Sequence, residues 1–281
     1  MSAPTPSPSS TPARMPVAFI GHGSPMNALE ENRHTLAWRQ FGAAIPRPSA
    51  VLAVSAHWYT RGLAVTAMEH PRTIHDFGGF PDELFAMQYP APGSPALARR
   101  VQELLAPDPV AKDFSWGLDH GSWSVLVHVF PQHDVPVVQL SIDATRPPAF
   151  HYAAGERLAP LRDEGVLILG LGNVVHNLRT ARWGPAAAPY DWAARFEALV
   201  RDALLRKEAA PLIEWDRAGE AAKLSVPTPE HYLPLLYAAG AQRPDDGVSI
   251  LTEGIDLGSV SMLSFAAAPA QKRDLSEPRP A

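Results

Sequence analysis

The sequence predicts an α/β fold: a single domain with a mostly parallel central sheet flanked by helices, and a metal site at the C-terminal edge of the strands. Three observations carry that expectation. Short runs rich in Val, Ile and Leu at residues 17–20, 51–55, 137–142 and 166–169 have the composition of strands buried on both faces. Helical patterns are interleaved with these runs. Three of the runs lead into a histidine, and ligands of open α/β sheets bind beyond the carboxyl ends of the strands.

Taken in order, residues 1–14 combine Pro, Ser and Thr with too little apolar surface to order them, and residues 269–281 combine Pro with charge. Both are expected to be disordered, leaving 15–268 as the folded domain. The first strand runs into Gly21-His22-Gly23-Ser24-Pro25, where glycines permit a tight turn and close backbone approach. The second ends at Ser55-Ala56-His57-Trp58, and Trp58 is placed to wall a site. Residues 70–95, with Ile74-His75-Asp76-Phe77-Gly78-Gly79-Phe80-Pro81 and Tyr89-Pro90-Ala91-Pro92-Gly93, show little periodicity. Long irregular connections of this kind are often binding loops or lids, and the aromatic content suits a flat apolar substrate. A covering loop packed on the core explains each of its residues equally well. Ser94-Pro95 starts a helix with serine as N-cap and proline at N1, followed by Leu97, Val101, Leu104 and Leu105. Trp192, Phe196, Leu199, Val200, Ala203 and Leu204 recur on one face of another helix. Residues 249–252 and 259–265 read as a late antiparallel pair.

Composition narrows the function classes. The chain has 281 residues, enough for one large α/β domain or two small ones, and no composition break demands a boundary. Cysteine is absent, which removes disulfides, thiolate zinc sites, iron–sulfur clusters and thiol nucleophiles together. A formal charge of −5 with no Lys/Arg block leaves no footprint for nucleic acid. No apolar run approaches the roughly 20 residues that span a bilayer, and the N-terminus lacks the apolar stretch of a secretory signal. A cytoplasmic protein that binds neither nucleic acid nor membrane is expected.

Histidines carry the chemistry. His22, His57 and His176 follow the apolar runs, and His231 sits in Pro227-Thr228-Pro229-Glu230-His231-Tyr232. That segment reads as a helix start, with Thr228 as N-cap and Pro229 at N1, whose positive end keeps His231 neutral. Any one of these histidines is more simply a capping or core-edge residue. Three imidazoles delivered to one sheet edge, with a fourth nearby, suit a borderline divalent metal such as zinc or iron. Glu230 is a further ligand, a carboxylate behind a ligand, or a charge complementing the helix start. A fifth histidine, in Trp116-Gly117-Leu118-Asp119-His120-Gly121-Ser122-Trp123, sits in a turn with aromatic cover. A histidine close to a metal but not bound to it is a natural general acid or base, with Asp119 as a candidate orienting group. His75 is placed to cover the site, whereas His34, His70, His128, His133 and His151 lack comparable surroundings.

Other catalytic patterns fail. There is no P-loop and no His-Glu-x-x-His helix, and Gly170-Leu171-Gly172 lacks the third glycine of a dinucleotide fingerprint. Ser24 is followed by proline and lacks the Gly-x-Ser-x-Gly frame of a nucleophile elbow.

Four stretches together resemble a known family: Phe19-Ile20-Gly21-His22-Gly23-Ser24-Pro25-Met26-Asn27, Ser55-Ala56-His57-Trp58, Asp119-His120-Gly121-Ser122-Trp123 and Gly172-Asn173-Val174-Val175-His176-Asn177. They are similar to class III extradiol ring-cleavage dioxygenases, nearest to the bacterial 4,5-DOPA dioxygenase type, over about residues 16–265. Leu171, where the family pattern suggests a small polar residue, and the N-terminal extension are departures. The resemblance implies that His22 and His57 ligate the metal and that His231 takes the third position, where more distant relatives use glutamate. It implies an acid/base role for His120. His176 is either the active-site histidine or a fourth ligand that closes a zinc site. Iron(II) for catalysis, or zinc(II) as bound, is the implied cofactor, with a small catechol and O₂ as partners and a semialdehyde as product. A zinc-dependent hydrolase on the same scaffold is the alternative, using metal-bound hydroxide and no oxygen.

Overall fold

The computed structural model describes residues 14–184 and 187–270. The strands are β1 (Val17–Gly21), β2 (Ala50–Thr60), β3 (Leu63–Thr66), β4 (Val110–Asp113), β5 (Val137–Asp143), β6 (Val166–Gly172), β7 (Asp246–Thr252), β8 (Ile255–Asp256), β9 (Val260–Ser261) and β10 (Ser264–Pro269). Eight of them form one sheet in the order β4-β3-β5-β2-β6-β1-β10-β7, and β8 and β9 form a separate pair. The sheet is parallel at its centre, through β5, β2, β6 and β1. Antiparallel partners flank that centre: β3 against β5 on one side, β10 and β7 on the other.

Every residue of β1, β5 and β6 is buried, because helices cover both faces. The alternation of side chains along a strand divides the core in two. Val17, Phe19, Leu52, Val54 and Ile168 face one way, against Val101, Leu158, Phe196, Val200 and Leu235. Ala18, Ile20, Val51, Ala53, Leu167 and Leu169 face the other, against Trp38, Phe41, Trp123 and Leu126. Among the described residues, no helix is long and apolar enough to cross a membrane.

The serine N-cap and N1 proline predicted at Ser94-Pro95 are present on the helix Pro95–Leu104, where the Ser94 hydroxyl accepts from the Leu97 amide at 3.2 Å. The helix patterned on Trp192 and Phe196 spans Asp191–Arg206, with Leu199 left partly exposed. Two expectations change. The run expected at 259–265 is broken: Val260–Ser261 pairs with β8, and the chain re-enters the main sheet only at Ser264, with a register shift between Ser264 and Phe265. β2 does not end before His57 but continues to Thr60, with a register shift against β5 between Val54 and Tyr59. Most of the expected tails lie outside the described residues. At their inner edges Arg14 pairs with Asp245 and Asp246, and β10 reaches Pro269.

Candidate metal centre

The strand ends and the loops beyond them bring His22, His57 and His231 together: one ligand nitrogen from each lies within 4.8 Å of the others. His22 leaves β1 in a turn in which Gly23 takes φ 61°, a conformation that favours glycine. Its amide donates to the Gly172 carbonyl at 3.1 Å, tying it to the end of β6. His57 sits within β2, at the irregular register. His231 is not in the first turn of a helix as expected. The helix is Leu233–Gly240, and His231 lies in the turn before it, where the Tyr232 and Leu233 amides both donate to the Pro229 carbonyl. Thr228 caps nothing there; its hydroxyl donates to Glu230 at 2.7 Å.

In all three imidazoles Nδ1 is the nitrogen that faces a protein oxygen. His22 Nδ1 lies 3.0 Å from the Gly23 carbonyl, His57 Nδ1 3.5 Å from Asp76 Oδ2, and His231 Nδ1 3.4 Å from Glu230 Oε1. Such partners place the proton on Nδ1 and leave Nε2 as the donor atom for a metal. The Nε2 atoms of His22 and His57 are buried and have no hydrogen-bond partner. Orphaned buried nitrogens are rare in folded proteins, and here they converge. Burial first, then the neighbouring imidazoles, lowers the pKa of His22 and His231 well below the usual value. Burial and His120 lower that of His57 to about 4. Neutral imidazoles with free Nε2 atoms fit a divalent metal.

His176 stands outside that trio. It follows β6 and is held by its amide, which donates to the Ser225 carbonyl at 2.9 Å, and by a bridge to Val260. Its ring stacks on His231 with centroids 3.5 Å apart and planes 9° from parallel, and it groups with Glu230 and His231. Burial, then His57 and His120, lowers its pKa to about 4.

His120 opens the helix His120–Val129. Asp119, the expected orienting group, instead caps that helix. Its buried carboxylate accepts from the Ser122 amide at 3.1 Å, from the Ser55 hydroxyl at 2.7 Å and from Gln139 Nε2 at 2.7 Å. It therefore locks the helix start to β2 and β5, so the His57 and His120 rings lie 3.9 Å apart. Gly121 makes this possible, because a Cβ there would lie 2.7 Å from the His57 ring. The group that reaches His120 is Asp76: Oδ1 accepts from its backbone amide at 2.9 Å and approaches its Nδ1 at 3.0 Å. Burial works to raise the Asp76 pKa, but contact with His120 and its charge, then that of His57, hold it below the ordinary value.

The loop bearing Asp76 also supplies an aromatic wall. Phe77 packs edge-on against His120 at 5.4 Å and beside Phe80, Phe85 and Trp123. His75 pins the loop through Nε2 to the Met87 carbonyl at 2.9 Å.

A sheet-edge trio of neutral imidazoles beside a separate histidine–carboxylate pair defines a metal-dependent enzyme. The model of the catalytic LigB subunit of aromatic ring-opening dioxygenase matches residues 16–263. A protein of Escherichia coli K12 named 4,5-DOPA dioxygenase extradiol is 54% identical over 255 residues, covering 89% of this chain and 94% of its own length. A Beta vulgaris protein of the same name is 37% identical, covering 88% of this chain and 94% of its own length. The crystal structure of an uncharacterized E. coli K12 protein superposes with a TM-score of 0.79 at 50% identity, covering 90% of this chain and 99% of that one. The chain belongs to the LigB family of aromatic ring-opening dioxygenases, and its activity is of the extradiol type. That membership decides between the two chemistries the histidines left open, in favour of ring opening over hydrolysis.

Proposed function

We propose that the enzyme opens the ring of a catechol such as DOPA with O₂, next to rather than between the hydroxyls, to give a semialdehyde. His22, His57 and His231 hold the metal, iron(II) for turnover, with zinc(II) accepted by the same nitrogens because imidazole suits both ions. The observation that carries this reading is the pair of buried, unpartnered Nε2 atoms converging beside His120 and Asp76.

When bound, the metal supplies open positions at which a catechol and O₂ are brought together and charge on oxygen is stabilised. The chain's own residues do the rest. His176, neutral by burial, accepts a phenolic proton at a ring nitrogen as the substrate binds. Asp76 faces Nδ1 of His120 and favours the Nδ1–H form, so Nε2 is free to take up a proton from the second catechol hydroxyl and return it to the departing oxygen. Phe77, backed by the buried Trp123, keeps bulk water from that proton path and offers flat apolar surface to the ring. Asp76 also faces His57 Nδ1, so one carboxylate sets the orientation of a ligand and of the acid/base group together.

Oxygen uptake by anaerobically iron(II)-loaded protein given a panel of catechols, with a zinc-loaded control, tests the reading. Uptake with a yellow ring-cleavage product in the iron form alone is expected. Verified iron occupancy without uptake on any catechol contradicts it.

A further inference from the structure

Glu230 is the one carboxylate at the centre that neither caps a helix nor reaches His120. Its Oε1 takes both of its protein contacts, from the Thr228 hydroxyl at 2.7 Å and from His231 Nδ1 at 3.4 Å. Its Oε2 has no hydrogen bond to any described residue, and no described lysine or arginine pairs with the carboxylate. The side chain is 23% exposed, so it lies at the rim of the site rather than in its floor. One of its oxygens is within 4.8 Å of ligand nitrogens of both His176 and His231.

A partly buried carboxylate with one unused oxygen at the rim of the site is a receptor for a cation. We infer that Glu230 is a specificity-determining residue that receives the ammonium group of an amine-bearing catechol, and that the enzyme selects such substrates over catechols with neutral or carboxylate side chains. The inference rests on the ring-opening reading and adds the residue that reads the substituent. The ring is held between the metal-binding histidines and the Phe77 wall. A substituent leaving on the His176 side passes Oε2, where an ammonium gains a charge-assisted hydrogen bond and a carboxylate meets a like charge. A hydrogen bond to a charged group in such a setting changes affinity by about tenfold or more.

Calorimetric titration of metal-loaded protein under argon, where no turnover occurs, tests this with dopamine, 4-ethylcatechol and 3-(3,4-dihydroxyphenyl)propionate. Wild type should bind them in that order, dopamine about tenfold tighter than 4-ethylcatechol. The spread should narrow with added salt. In Glu230→Gln the dopamine preference should collapse towards parity while the metal, read by elemental analysis, is retained. Equal affinities in wild type, or an unchanged spread in Glu230→Gln, overturn the inference. Glutamine keeps an oxygen that can face His231 Nδ1, so loss of the metal from Glu230→Gln also overturns the inference, by making the negative charge itself a requirement for metal binding. The uncharged 4-ethylcatechol reports on the catechol site alone: its failure to bind wild type would count against the ring-opening reading instead.

Discussion

The two ends of β1 carry two buried polar clusters, and they are built on opposite principles. Before the strand, Arg162 is fully buried and spends every nitrogen: Nε on the Met15 carbonyl, Nη1 on the Ala241 carbonyl and Asp246, Nη2 on Asp246 and the Ala267 carbonyl. Arg14 adds a second cation to Asp246. After the strand, His22 and its neighbours leave Nε2 atoms buried and unpartnered, in rings that burial keeps neutral. The Arg162 guanidinium, with every nitrogen bonded, stitches β1, β7 and β10 together. A cluster with converging gaps is a binding site, since unsatisfied buried groups cost about 1–3 kcal/mol each and persist where a ligand completes them.

The strongest way to break that contrast is at the unfinished end. His57→Ala removes one of the three proposed ligand nitrogens and should abolish bound metal and ring cleavage together, read by elemental analysis and oxygen uptake. His120→Ala should keep the metal and lose about 10²- to 10⁴-fold in turnover; metal loss as complete as in His57→Ala would contradict its acid/base role. At the finished end, Asp246→Asn leaves Arg162 as a buried charge without its counter-ion, at about 3–5 kcal/mol in chemical denaturation. Activity per folded molecule should be unaffected, because the site lies at the other end of the strand. Asp76→Asn should fall between these extremes, with about 10- to 100-fold lost from metal affinity or turnover.

The smallest effect is one of pH. His57 and His176 have folded-state pKa values lowered to about 4 against an ordinary value near 6.5. As pH falls through that window the unfolded chain takes up protons first, so metal-free protein should lose stability between pH 6.5 and 4. A Tm lower by a few degrees at pH 5 than at pH 7 is expected. Asp246, whose pKa is held low by Arg162 against its own desolvation, contributes the same sign of effect only below the carboxylate range.

How much of this could be read from the sequence follows from which forces act locally. The apolar runs of β1, β2, β5 and β6 announce a buried parallel centre because burial on both faces demands continuous Val, Ile and Leu. The short β3 and β4 carry no such signal; β4 lies at the sheet edge with two of its residues exposed. The β8–β9 pair, which takes Val260–Ser261 out of the main sheet, is flanked and turned by Gly254 and Gly258, and a run of apolar letters conceals it. His22, His57, His120, His176 and His231 were all legible as site candidates because strand ends and turns mark them. Asp76 was not. It lies in an aperiodic loop, 44 residues from the histidine it orients, and only tertiary folding brings the two together. Asp119, next to His120 in sequence, drew attention that the fold gives to Asp76, since a residue at the N-cap turns its side chain to the helix amides.

The central claim is that His22, His57 and His231 form the metal site, with His176 and His120 beside it. Metal stoichiometry of the five single alanine variants, reconstituted anaerobically with iron(II) and read by elemental analysis, tests it most directly. Loss of the metal from the variants at 22, 57 and 231, with retention at 120 and 176, is the predicted result. Equal loss from His176→Ala would make that histidine a fourth ligand and contradict the three-histidine account.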